Sequence, residues 1–213
     1  MKCSKEMMRL YAVTDRCWTE KTTLYEQIEQ ALQGGVTCVQ LREKNMDEQT
    51  FIKEGMEIRE LCHAYHVPLI INDRVEVALK TGADGVHVGQ DDLSVEQVRK
   101  LVGNDMIIGV SAHNPDEAME AVKGGADYLG TGAVFGSTTK NNVTTLSYDT
   151  LKAITACVDV PIVAIGGINE TNIEKLKGSG VDGVAVVSAI FAAKDIRKQC
   201  EKLKALSERM IEG

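Results

Sequence analysis

The sequence predicts a single-domain (β/α)8 TIM barrel, and three observations carry that expectation. Eight short apolar runs, rich in Val and Ile, recur along the 213 residues, with helix-period stretches between them. Glycine-containing corners precede several runs: Gly82-Ala83-Asp84, Gly125-Ala126-Asp127 and Gly180-Val181-Asp182, with Gly34-Gly35-Val36 in a similar place. Polar residues and glycines gather just after the runs, the end at which such a barrel carries chemistry. An open doubly wound sheet is the alternative. No GxGxxG follows the first run, which weighs against a dinucleotide-binding fold.

The elements follow in order. Strands are expected over Leu10–Thr14, Cys38–Leu41, Pro68–Asn72, Gly85–Val88, Met106–Val110, Tyr128–Gly130, Pro161–Ile165 and Gly183–Val187. Near-continuous apolarity suits parallel strands covered on both faces. Eight helices alternate with them. The last is marked by one stripe, Ile190, Ala193, Ile196, Cys200, Leu203, Leu206 and Met210. At each corner the glycine ends a helix in the left-handed conformation, and the aspartate fits a tight turn into the next strand. The 213 residues divided by eight give about 27 per unit, close to the least that a strand, a helix and two turns can use. One domain over residues 1–213 is therefore expected, with no linker dividing it.

Composition narrows the function. Acidic residues outnumber basic ones, 31 to 24, giving a formal net charge of −7, a poor match to nucleic acid. Only 4% of residues are aromatic, too few for base-stacking platforms. No run approaches the roughly 18–20 apolar residues of a membrane span, and no signal-type apolar region follows Met1-Lys2-Cys3. The six cysteines form no CxxC pair, so neither a zinc nor a disulfide framework is expected. His63 and His66 have ligand-like spacing on a predicted helix but no neighbouring ligand in sequence, and read as a solvated face. A cytoplasmic protein is expected. The apolar stripes are accounted for by packing on the barrel, which leaves a homo-oligomer open.

The strand ends carry the chemistry. Gly166-Gly167 after the seventh strand and Val187-Ser188 before the last helix suit a phosphate, through close backbone N–H groups and a helix N-terminus. Ser188 also suits a helix N-cap. Arg42, Lys44 and Lys140 suggest a second anion site. Asp73 and Asp92 offer hard oxygen donors for Mg²⁺ shared with substrate phosphates, or else N-caps. A phosphate site and a metal–polyphosphate site in one barrel imply two phosphorylated small-molecule substrates, one with diphosphate as its leaving group.

Taken together, the motifs resemble the thiamine-phosphate synthase family over essentially the whole chain. The resemblance rests on Gln40-Leu41-Arg42-Glu43-Lys44, Asn72-Asp73, Gly89-Gln90-Asp91-Asp92, Gly109-Val110-Ser111-Ala112-His113, Thr139-Lys140, Ile165-Gly166-Gly167-Ile168 and Val187-Ser188. It implies a transferase that joins 4-amino-2-methyl-5-(diphosphooxymethyl)pyrimidine to a thiazole phosphate or its carboxylate. The products would be thiamine monophosphate and diphosphate, formed after the diphosphate departs. By the same resemblance Gln40, Leu41, Arg42, Glu43, Lys44, Asn72, Ser111 and Lys140 would form the pyrimidine diphosphate site, with Arg42, Lys44, Ser111 and Lys140 as the catalytic set. Asp73 and Asp92 would bind Mg²⁺, and Ser137, Thr138, Thr139, Gly167, Val187 and Ser188 would hold the thiazole phosphate.

The chain departs from the family pattern in one loop. Gly136-Ser137 replaces proline-threonine and Ala133 replaces proline, so a looser loop and weaker thiazole phosphate binding are expected. Two other functions compete. A thiazole tautomerase-like isomerase would need only the phosphate site, and a non-catalytic regulator would keep the pocket without turnover.

Overall fold

Each apolar run becomes a strand because it can be covered on both sides. In the computed structural model, which describes residues 3–20, 22–136 and 145–212, the strands close into a parallel barrel in sequence order. They are β1 Leu10–Val13, β2 Cys38–Leu41, β3 Leu69–Asn72, β4 Gly85–Val88, β5 Ile107–Ala112, β6 Tyr128–Gly132, β7 Ile162–Ile165 and β8 Gly183–Val186. β1 pairs with both β2 and β8, which completes the closure. Strand side chains alternate between two cores. Leu10, Val39, Ile71, Val86, Ile108 and Leu129 are among those that join the outer core beneath the helices. Tyr11, Cys38, Ile70, Ile107, Tyr128 and Val163 turn into the barrel instead.

The helices are α1 Leu24–Gln33, α2 Glu48–Ala64, α3 Val75–Thr81, α4 Val95–Val102, α5 Pro115–Gly124, α6 Tyr148–Cys157, α7 Ser188–Phe191 and α8 Ile196–Ile211. Side-chain caps start several of them: Thr23 Oγ1 accepts from Glu26 N–H at 3.2 Å, and Asn114 Oδ1 from Glu117 N–H at 2.9 Å. Two expectations are corrected. The β7–β8 connection holds a single 3-10 turn, Ile173–Leu176, in place of a helix. Asn169 and Asn172 take up local backbone donors there, and Gly178 and Gly180 follow at φ +73° and +87°. The expected last stripe is divided between α7 and α8, because Asp195 caps a new helix by accepting from Lys198 N–H at 3.0 Å.

The corners also work differently from the tight turns expected. Asp84, just before β4, accepts from Leu69 N–H of β3 at 2.8 Å. Asp127, before β6, accepts from Ile108 N–H of β5 at 2.8 Å, and Asp182, before β8, from Ile162 N–H of β7 at 2.9 Å. Thr37 does the same before β2, its Oγ1 accepting from Leu10 N–H at 2.9 Å. Each side chain thus clamps the start of the preceding strand rather than its own turn. His63, read from sequence as solvated, lies 2.9 Å from the Asp84 carboxylate.

Candidate active site

The C-terminal strand ends enclose a cavity of about 390 Å³. It is deep because several inward positions carry little or no side chain. Gly109 is one: a Cβ there would lie 2.1 Å from the Tyr128 ring, so the glycine is what seats that tyrosine. Large polar residues then meet across the floor. Gln40 Nε2 donates to Tyr11 Oη at 2.9 Å, and the two tyrosine hydroxyls share a proton at 2.7 Å. Tyr128 Oη lies 2.9 Å from His87 Nδ1, and His87 Nε2 lies 3.0 Å from Ser111 Oγ. This chain joins β2, β1, β6, β4 and β5. Burial pushes both tyrosines well above their ordinary ionisation value, so their hydroxyls stay protonated as donors.

Above the floor, β2 to β5 present charge. Arg42, Lys44, Asn72, Asp73, Asp92 and Ser111 line this side of the cavity. Arg42 N–H donates to Thr14 Oγ1 at 2.9 Å, and its guanidinium stands 3.5 Å from the Asp15 carboxylate. Asp73 sits at φ +60°, a left-handed conformation unfavourable for most residues but tolerated by aspartate. Its N–H donates to His87 O at 2.8 Å, and its Oδ1 accepts from Asn72 Nδ2 at 2.5 Å. Neither aspartate is an N-cap: Arg74 and Ser94 occupy those positions. Asp92 Oδ2 instead accepts from Gly89 N–H at 2.7 Å, folding its loop toward the cavity. Two carboxylates on adjacent loops suit a hard cation that completes its shell with phosphate oxygens and water. Among the described residues no group of three or more His, Cys, Asp or Glu side chains is assembled for a metal.

β7 and β8 form the opposite side, where Gly167, Val187 and Ser188 line the cavity. Gly166 and Gly167 stand at φ +105° and +64°. They also admit the β6 loop: a Cβ on Gly166 would lie 2.5 Å from the Ala133 Cβ, and one on Gly167 2.6 Å from Phe135 O. Gly167 O accepts from Asn172 Nδ2 at 2.9 Å, which braces the turn. Val187, not Ser188, is the N-cap of α7, and the first intrahelical bond runs from Ile190 N–H to Val187 O at 3.1 Å. The N–H groups of the first turn precede that bond and face the same opening.

The structure therefore gathers Gln40, Arg42, Lys44, Asn72, Asp73, Asp92, Ser111, Gly167, Val187 and Ser188 around one cavity. Two expected binding side chains lie elsewhere. Leu41 packs in the outer core, and the Glu43 carboxylate is buried against Arg16 at 2.7 Å. Ser137, Thr138, Thr139 and Lys140 lie outside the described residues. Gly136 has φ +80°, which proline cannot adopt, so proline there would be no simple restoration of the family loop. Tyr11, His87 and Tyr128 are the residues that sequence reasoning missed. Their signal was a polar tip on an inward position of a strand, visible only once the two faces are told apart.

Among known proteins, a family model described as thiamine monophosphate synthase matches residues 10–190. The chain is 50% identical over 200 residues to the thiamine-phosphate synthase of Ruminiclostridium cellulolyticum, covering 94% of this chain and 95% of that protein. It is 47% identical over 209 residues to the thiamine-phosphate synthase of Enterococcus faecalis, covering 98% and 99%. The solved thiamine phosphate pyrophosphorylase from Pyrococcus furiosus superposes with a TM-score of 0.90 at 37% identity, covering 97% of this chain and 98% of that one. A 3-hexulose-6-phosphate synthase, with a TM-score of 0.66 at 17% identity, shares the fold alone.

Proposed function

Because the chain belongs to the thiamine monophosphate synthase family, a family of transferases, we propose that it joins 4-amino-2-methyl-5-(diphosphooxymethyl)pyrimidine to a thiazole phosphate or its carboxylate, releasing diphosphate. The observation that carries this reading is the two-sided cavity. Cations and carboxylates line one side and glycine-rich backbone the other, over an uncharged floor. A one-substrate isomerase would leave Arg42, Lys44, Asp73 and Asp92 without a task.

The residues divide the work. Arg42 and Lys44 would hold the diphosphate, with Asn72 and Ser111 as neutral partners. The aminopyrimidine ring would lie on the floor, where Gln40 and Ser111 mark the two ends of the hydrogen-bonded chain. Asp73 and Asp92 would hold Mg²⁺, which supplies charge neutralisation to the leaving diphosphate. The Gly167 turn and the Val187-Ser188 end would hold the thiazole phosphate. The C–O bond to diphosphate breaks first, and the thiazole nitrogen then captures the pyrimidinylmethyl cation. No side chain need act as a nucleophile. The protein neutralises the leaving group and aligns the two partners.

The test is direct. Purified protein, Mg²⁺ and both substrates are mixed, and thiamine monophosphate is followed. Product is expected; tight binding of both ligands without product would refute the reading.

A further inference from the structure

Three consecutive residues after β2 face different ways. Arg42 and Lys44 line the cavity, whereas the Glu43 side chain between them is turned away and only 6% exposed. A carboxylate in a loop at a cavity mouth has water within easy reach, and burying it is costly unless it is paired. Its partner is Arg16, whose Nε lies 2.7 Å from Glu43 Oε1. Arg16 also bonds Glu54 of α2. Burial raises the Glu43 carboxyl's ionisation value, while Arg16 opposes that rise.

The pair is one part of a longer junction. Thr14 N–H donates to Gln40 O at 3.0 Å, and Arg42 N–H to Thr14 Oγ1 at 2.9 Å. Asp15 stands 3.5 Å from Arg42 while its other oxygen accepts from Cys17 N–H at 3.0 Å. Thr14, Asp15 and Arg16 thus meet Gln40, Arg42 and Glu43 side by side. A half-exposed ion pair adds little stability. What this one does fix is the orientation of the peptide that carries Arg42 on one side and Lys44 on the other.

We propose that Glu43, held by Arg16, is a positioning residue that sets Arg42 and Lys44 for a diphosphate group and does not itself touch substrate. This rests on the diphosphate reading of the β2–β5 side given above. Rotation of the Glu43 peptide would move both cations together, so the pair should govern diphosphate affinity and leave the β7–β8 side alone.

The experiment uses the full-length chain with four changes: Glu43→Gln, Arg16→Met, the double variant, and the conservative Arg16→Lys. Binding of inorganic diphosphate with Mg²⁺ is measured by calorimetry, KM is measured for each substrate, and melting temperature is recorded. Glu43→Gln and Arg16→Met should each weaken diphosphate binding and raise the KM for the pyrimidine diphosphate by roughly tenfold, the scale of a displaced positioning group. The KM for the thiazole phosphate should stay within about twofold, because that side is untouched. The double variant should lose no more than the worse single one, since both act through one contact. Arg16→Lys should recover part of the loss. Arg16→Met leaves a buried carboxylate unpaired and so can lower stability by itself, but Glu43→Gln keeps shape without charge. Equal changes in both KM values, additive losses, or a fall in melting temperature with unchanged diphosphate binding would overturn the proposal. If the wild type makes no thiamine monophosphate but the variants still lose diphosphate binding, the positioning role stands and the transferase reading falls.

Discussion

Tyr128→Phe is the sharpest probe of the cavity floor. Tyr128 is fully buried and its hydroxyl sits between Tyr11 Oη at 2.7 Å and His87 Nδ1 at 2.9 Å. Its ring lies 5.9 Å from that of Tyr11 and 5.5 Å from that of His87. Phenylalanine keeps the ring in its seat over Gly109, so apolar burial is unchanged and the lost hydroxyl is isolated. Tyr11 retains its bond from Gln40, whereas His87 loses its Nδ1 partner. Leaving a buried polar group without its partner costs about 1–3 kcal/mol. A central value of about 2 kcal/mol in a chain of this length lowers Tm by roughly 4–8 °C. His87 also orients Ser111 through Nε2, so the KM for the pyrimidine diphosphate should rise several-fold while that for the thiazole phosphate holds. Scanning calorimetry and steady-state kinetics with each substrate varied in turn measure both effects. Tyr11→Phe serves as the companion, and the double variant should show non-additivity because the two hydroxyls share one bond. A Tyr128→Phe protein that melts within a degree of wild type with an unchanged KM would show the chain to be dispensable.

Three further outcomes are expected. Asp92→Ala, and separately Asp73→Gly, should lower turnover by at least tenfold while Tm changes little, and should raise the Mg²⁺ concentration for half-maximal rate; parallel losses of Tm and rate would make these residues structural. Asp73→Gly should be neutral or stabilising, since glycine removes roughly 1–2 kcal/mol of left-handed strain at φ +60°. Gly166→Ala places a Cβ 2.6 Å from the Ala133 Cα at φ +105°, so it should cost about 1–3 kcal/mol and raise the KM for the thiazole phosphate, read by urea titration and kinetics. Finally, burial pushes the thiols of Cys3, Cys62 and Cys200 up to about 12. The unfolded chain ionises its thiols near 8.5, so the stability they contribute is fully present below about pH 8.5 and is lost as pH rises toward 12. Melting curves from pH 8 to 11 should fall steadily, and Cys62→Ala should flatten the fall.

The strands and their order were legible because burial on both faces leaves a plain apolar signature, as in Leu69–Asn72 and Gly183–Val186. The charged side of the cavity was legible too, since Arg42, Lys44, Asp73 and Asp92 stand where a strand ends and need no inside-outside assignment. The floor was not. Tyr11 lies in Leu10-Tyr11-Ala12-Val13, four buried residues in a row, and nothing in that composition separates the face toward the helices from the face toward the cavity. Glu43 was misplaced for a related reason: in Arg42-Glu43-Lys44 the middle residue faces away, and its partner Arg16 is remote in sequence. The missing β7–β8 helix reflects local competition. Asn169, Asn172, Gly178 and Gly180 outweigh the short apolar spacing of Ile173 and Leu176.

The corner clamps give the barrel a parity. Leu10 with Thr37, Leu69 with Asp84, Ile108 with Asp127 and Ile162 with Asp182 tie strands in pairs, and no such side chain joins β2 to β3, β4 to β5 or β6 to β7 among the bonds described. At its base the molecule is four quarters rather than eight units. A chain divided within α2, α4 or α6 keeps every quarter whole, whereas one divided within α3 or α5 separates an aspartate from the strand it secures. All four ties lie at the end opposite the cavity, so the joints that hold the quarters together are remote from the loops that bind phosphate. Those loops can be exchanged without unfastening the barrel.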